Sequence, residues 1–147
     1  MMMELDIIKY GETNSSKLRS KNIDVKKENT FLQQLINDMF ETLDLHPKAV
    51  GLAAPQVGHN LNLFIVNFNG FRETFINPEI LLEGLSLQVV EGCLSFPDMQ
   101  FPVNRKEKIQ IRYFDRNWVL RLVEHKDLLA IIIQHEYDHL KGKLIID

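Results

Sequence analysis

The sequence predicts an α+β fold in which short sheets, mixed but mainly antiparallel, pack around a central helix. Three observations lead there. An amphipathic helical stripe comes early, several short strands with turn signals fill the middle, and a long apolar segment carrying two histidines closes the chain. Strands that follow one another without helices between them do not make the alternating pattern of a parallel βαβ fold.

The elements follow in order. Lys9 to Asn29 is polar, with few large apolar residues, and is expected to wrap the surface as an extended arm. Phe31, Leu32, Leu35, Ile36, Met39, Phe40 and Leu43 then recur at helical spacing, with Thr30 as N-cap and Pro47 as stop. Leu61 to Val66, Leu85 to Val90, Ile109 to Tyr113 and Trp118 to Val123 read as strands. Asp115-Arg116-Asn117 between the last two reads as a hairpin turn. Leu128 to Leu140 is apolar and too long for a strand; Asp127 is placed to cap its start and Gly142 its end.

Composition bounds the function. A chain of 147 residues has room for one domain, taken as 1–147, and a domain of that size buries roughly 68–70% of its unfolded surface. The hydrophobic fraction of 45% and charged fraction of 25% are those of a globular protein rather than a disordered one. A net charge of -3 leaves no electrostatic footprint for nucleic acid or an anionic membrane. One cysteine excludes an internal disulfide and fits a reducing compartment. The longest apolar run, Leu128 to Ile133, is too short to span a bilayer. The opening Met1-Met2-Met3-Glu4 has neither the basic start of a signal peptide nor the arginines of a transit sequence. A soluble, cytoplasmic protein is expected.

The last helix holds His135-Glu136-Tyr137-Asp138-His139, an H-E-x-x-H pattern. Residues four apart share a helix face, so both imidazoles reach one metal ion, and Glu136 reaches the ion's water from one step round. A catalytic centre of this kind needs a third protein ligand. Cys93, His46, His59, His125 and many carboxylates are candidates. Cys93 follows an apolar strand, with Gly92 before it to allow a close approach or an unusual φ. Taken alone, it reads more readily as a small buried apolar residue than as a ligand. Val50 to Gly58 is built of small residues around one long polar side chain, Gln56, whose amide N–H suits a developing oxyanion.

Together these stretches resemble a known family. Gly51-Leu52-Ala53-Ala54-Pro55-Gln56, Glu91-Gly92-Cys93-Leu94-Ser95 and Gln134-His135-Glu136-Tyr137-Asp138-His139 are similar to the three signatures of peptide deformylase, in order and spacing. Phe75-Ile76-Asn77-Pro78 and Val103-Asn104-Arg105 resemble the family's flanking segments. The resemblance implies that Cys93, His135 and His139 hold one divalent metal. Fe²⁺ is the expected native ion, and Zn²⁺, Ni²⁺ or Co²⁺ is also accepted. It implies hydrolysis of the N-formyl group from the initiator methionine of nascent polypeptides: a metal-activated water attacks the formyl carbon, and Glu136 serves as general base and acid. Gln56 and the backbone N–H of Leu94 stabilise the oxyanion. Val50, Val89, Ile131, Ile132 and His135 line the methionine pocket, with Gly51 and Gly92 at the substrate backbone. Glu91 and Arg105 form an ion pair behind the cysteine loop. A monomer is expected, meeting nascent chains at the ribosome.

The chain departs from the family pattern at Ala49 and Asp127, where glycine is usual. It also ends soon after His139, like short forms without the C-terminal helix extension. Two other functions share part of the pattern. An H-E-x-x-H metallopeptidase would not need Cys93, and a deformylase-like binding domain would hold metal or formylated chains without turnover.

Overall fold

Leu63, Phe64, Ile65 and Val66 are all inaccessible to solvent, which a strand achieves only when both of its faces are covered. They open β2 (Leu63–Phe68), second in a five-stranded antiparallel sheet of order β1-β2-β3-β4-β5. The other strands are β1 (Gly51–Ala53), β3 (Phe71–Cys93), β4 (Phe96–Phe114) and β5 (Leu120–Lys126). The structure, a computed structural model, describes residues 3–147; Met1 and Met2, part of the opening read for a leader, lie outside the described residues.

Two helices supply the cover. On one face α1 (Leu32–Asp44) packs Leu35, Ile36, Met39 and Leu43 against Leu63, Ile65 and Ile76. On the other, α2 (Asp127–Leu140) packs Ala130, Ile133 and Leu140 against Phe64, Val66, Phe75, Ile109 and Ile111. The alternation Leu63/Ile65 against Phe64/Val66 is the two-residue period of a strand. Burying each such side chain contributes roughly 1.5–3 kcal/mol. The result is the α+β architecture expected, with α2 against the sheet centre. An isolated bridge between Ile23 and Leu61 adds a parallel pairing.

β3 and β4 are far longer than the apolar segments that announced them, at 23 and 19 residues. Exposed polar residues such as Glu79 and Gln100 extend the strands without extending the hydrophobic pattern. The pair bends at three register shifts, the last between Glu91 and Cys93, beside the hairpin tip Leu94-Ser95. That bend delivers Cys93 to α2.

Three local expectations need correction. Thr30 does not cap α1: the Phe31 N–H bonds to Asn29 Oδ1 at 2.9 Å, so Asn29 is the polar residue of that turn. Phe31 takes the cap position and is 79% exposed, outside the core stripe. Asp127 does not cap α2 either. β5 runs straight into α2 with no loop, and Asp127 makes the change of direction in a left-handed conformation, φ 59°. That conformation explains why glycine suits the position. The hairpin turn stands as expected, with Asp115 Oδ1 accepting from the N–H groups of Asn117 and Val119. Gly142, φ 71°, follows the end of α2 as expected.

The arm is not simply extended. It contains a short 3-10 turn, Ser15–Leu18, whose Leu18 is fully buried against Phe96, Leu144 and Ile145. Asn22 Nδ2 donates to Leu140 O at 2.9 Å, and Arg19 bonds Gly142 O and both Asp147 carboxylate oxygens. These bonds tie the arm to the end of α2. The Arg19 hydrogen bond holds the Asp147 carboxyl at about 2, below its ordinary 3.8. A depressed carboxylate stabilises the fold above its unfolded pKa and loses that contribution as the pH falls. Urea titrations should therefore show wild type more stable than Asp147→Asn at neutral pH, with the gap narrowing as the pH drops from 3.8 towards 2. A gap independent of pH would contradict the pairing.

Candidate metal centre

α2 places His135 and His139 one turn apart, and the β3–β4 tip brings Cys93 to them. Their three potential ligand atoms lie within 4.8 Å of one another, with Cys93 Sγ 3.4 Å from His139 Nε2. Burial drives the His139 pKa well below its ordinary value, so this imidazole is neutral and offers a lone pair. His135 Nδ1 faces Glu91 Oε1 at 2.8 Å, an arrangement that leaves Nε2 free for a metal. Burial opposes charge on His135, yet Glu136, Cys93 and Glu91 together raise its pKa to about 10. Acidic groups thus converge on one buried point, and the donor set of one thiolate and two imidazoles fits a borderline-soft dication.

Behind the ligands lies a clamp. The Arg105 guanidinium, 4% exposed, donates from Nε and Nη2 to both oxygens of Glu91, at 2.8 and 2.7 Å. Its Nη1 donates to Asp138 on α2. Burial works against the Glu91 charge, but hydrogen bonds from Arg105 and His135 outweigh it and hold the carboxyl at about 2. One cation therefore joins β3, β4 and α2. Gln134 adds a neutral tie, its side chain bonding both the N–H and the C=O of Lys106.

Glu136 is 4% exposed, and burial lifts its pKa to about 7. Its Oε1 is buried without a hydrogen-bond partner, and its Oε2 lies 3.8 Å from His135 Nε2. The carboxylate rests on the backbone of β1. A Cβ on Gly51 would come within 2.6 Å of Oε2, so residue 51 has to be glycine for Glu136 to lie there. Gln56 accepts from the Ala53 N–H through Oε1 at 3.0 Å. Its Nε2 donates to Ser95 Oγ at 3.1 Å and towards Cys93 Sγ at 3.4 Å.

These groups open into a cleft of about 1180 Å³. Gln56, Leu94, Cys93, His135 and Glu136 line it, as do Val50, Gly51, Gly92, Ile131 and Ile132. His139 is buried beneath, and Arg105 stands behind Glu91. Val89 is not among the lining residues; it sits half-buried on β3 opposite Val103. Gly92 has no left-handed φ, and a Cβ there would make only ordinary contact with Met99 O at 3.5 Å.

Sequence reasoning missed Asp138, Ser95 and the cleft walls from Leu5, Ile7 and Met99. Asp138 and Ser95 stand inside the quoted signatures, which was the available signal. The arm has no periodicity to reveal its side of the cleft.

A sheet-backed helix thus offers two histidines to a hairpin cysteine beside a buried carboxylate, a set that could hold a metal ion. The sequence pattern of the polypeptide deformylase family matches residues 4–147. The peptide deformylase of Karelsulcia muelleri is 44% identical over 99% of this chain and 78% of its own length. The crystal structure of peptide deformylase from Thermotoga maritima superposes with a TM-score of 0.90 at 35% identity, covering 98% of this chain and 96% of that one. The Met-Ala-Ser-bound class I type b enzyme from Acinetobacter baumannii gives 0.88 at 30% identity, covering 99% and 98%. The chain belongs to the peptide deformylase family, whose members are metal-dependent hydrolases that remove the N-formyl group from nascent polypeptides.

Gly51→Ala tests the packing of Glu136 against β1. The added methyl displaces the Glu136 carboxylate, and kcat should fall at least about tenfold with metal content unchanged. Wild-type kcat in this variant would show that Glu136 tolerates the displacement.

Proposed function

We propose that Glu136 is the proton carrier of deformylation in this cleft, with Gln56 and the backbone N–H of Leu94 binding the oxyanion. The observation that carries the reading is the convergence of Cys93, His135 and His139 beside a buried carboxylate with one unpartnered oxygen. Those three residues would hold a divalent ion, Fe²⁺ in our assignment, which when bound acts as a Lewis acid and lowers the pKa of water. Zn²⁺, Ni²⁺ and Co²⁺ suit the same donors.

Glu136, lifted to about 7, is poised near physiological pH both to accept a proton and to return it. It takes the proton from the attacking water. It gives the proton to the amine nitrogen as the C–N bond breaks and formate leaves. The Gln56 amide, fixed beside Cys93, donates to the oxygen that gains charge when the formyl carbon becomes tetrahedral. Glu91 and Arg105 keep His135 oriented throughout.

The apolar side chains of Val50, Ile131 and Ile132 provide a wall for the unbranched methionine side chain. β1 ends the sheet, and Gly51 on it and Gly92 on β3 both line the cleft, where their backbone would pair with an extended peptide. The whole set lies within one chain and one domain, which supports a monomer. The single cysteine is a free thiol, which fits the cytoplasm, where the enzyme would meet formylated chains at the ribosome. Among the described residues no helix is long and apolar enough to cross a membrane.

Formate release from formyl-Met-Ala-Ser tests the assignment, with protein reconstituted anaerobically with Fe²⁺ and, in parallel, with Zn²⁺. Glu136→Ala should bind metal stoichiometrically and lose turnover, whereas Cys93→Ala should lose metal. Unchanged activity in either variant would overturn these roles. Cleavage of internal peptide bonds would make the cleft a peptidase.

A further inference from the structure

We propose that Ser95 is a positioning residue for catalysis: its buried hydroxyl sets the angle of the Gln56 carboxamide, so that the second N–H of Nε2 faces the developing oxyanion. The inference rests on the reading of Gln56 as an oxyanion donor. It adds a residue to which neither the sequence patterns nor the cleft lining assigns a role.

Ser95 is fully buried at the hairpin tip. A hydroxyl in that position destabilises the fold unless it is hydrogen-bonded. The partner of Ser95 Oγ is Gln56 Nε2, at 3.1 Å. The Ala53 N–H can only donate, so the atom of Gln56 facing it at 3.0 Å must be the amide oxygen. This contact fixes which end of the carboxamide is which, but a single contact leaves the plane free to swing. Ser95 supplies the second point. With one Nε2 proton on Ser95, the other is directed along the line to Cys93 Sγ, 3.4 Å away, into the cleft.

The backbone reinforces the pair. Ile8 N–H donates to Gln56 O at 2.7 Å, and Tyr10 N–H donates to Ser95 O at 2.8 Å. Two alternate amides, one just before the arm and one at its start, thus hold both residues in a common register. Ser95 does not line the cleft and has no contact with the reacting atoms. It acts through Gln56 alone.

The test is a double-mutant cycle on formyl-Met-Ala-Ser hydrolysis. Removal of a whole oxyanion donor costs about 10²–10³ in kcat, so Gln56→Ala should fall in that range. Ser95→Ala should lower kcat about tenfold, with KM within about twofold and metal content unchanged. In the Gln56→Ala background, Ser95→Ala should have no further effect, because there is no carboxamide left to aim. The apoprotein provides a readout independent of turnover. The Gln56 side-chain amide protons should exchange slowly with solvent in the wild-type NMR spectrum, and exchange should accelerate in Ser95→Ala.

Wild-type kcat in Ser95→Ala would overturn this inference, as would a loss that multiplies independently with that of Gln56→Ala. If Ser95→Ala does not fold, the wild-type spectrum decides, and a rapidly exchanging Gln56 amide overturns it. The two readings fail differently. Wild-type kcat in Gln56→Ala removes the oxyanion role and this inference with it, whereas a slow Gln56→Ala beside an unimpaired Ser95→Ala removes this inference alone.

Discussion

The Arg105 guanidinium, buried between Glu91 and Asp138, is the interaction on which the metal centre depends. A hairpin and a helix have no local reason to meet at sub-ångström register. Here one planar cation bonds a carboxylate from β3 and another from α2, and the β3 carboxylate in turn bonds the ring of His135. Removing one member of such a buried set typically costs 3–5 kcal/mol, because the others remain charged and unpaired. The penalty makes the arrangement all-or-none, so Cys93 and the two imidazoles share one geometry before any ion arrives.

Steric exclusion finishes what the clamp begins. The Glu136 carboxylate occupies the space a side chain on Gly51 would fill, and this absence of a methyl brings the carboxylate against the backbone of β1. Close approach also keeps water from solvating the carboxylate, which is the physical source of its raised pKa. The arm closes the assembly from outside. Through backbone bonds to Gln56 and Ser95 and side-chain bonds to the end of α2, it links all three segments that carry chemistry.

Much of this was legible from residue order. The stripe from Leu32 to Leu43, the turn at Asp115 and the His135–His139 spacing each follow from a local period or a local hydrogen bond. The full length of β3 and β4 was hidden because their apolar segments, Leu85–Val90 and Ile109–Tyr113, are separated from the rest of the strands by exposed polar residues such as Glu79 and Gln100. Thr30 misled because Asn29, one residue earlier, accepts from the Phe31 N–H in its place. Asp127 misled because a strand joined directly to a helix requires a left-handed residue, a demand set by topology rather than by the segment. Asp138, Ser95 and the arm acquire their roles only from partners 33 or more positions away, and no window along the chain reveals such pairings.

The most direct test of the clamp is the metal affinity of Arg105→Met, measured by competition titration with Zn²⁺ and Co²⁺ at neutral pH against wild type. Arg112→Met on the exposed stretch of β4 serves as control. If Arg105 organises the ligands, its loss should weaken affinity about 10–100-fold in a chain that still folds, as for other groups that orient metal-bound histidines, and the control should match wild type. Wild-type affinity in folded Arg105→Met would show that Cys93, His135 and His139 find their geometry without the clamp, and the account would be wrong.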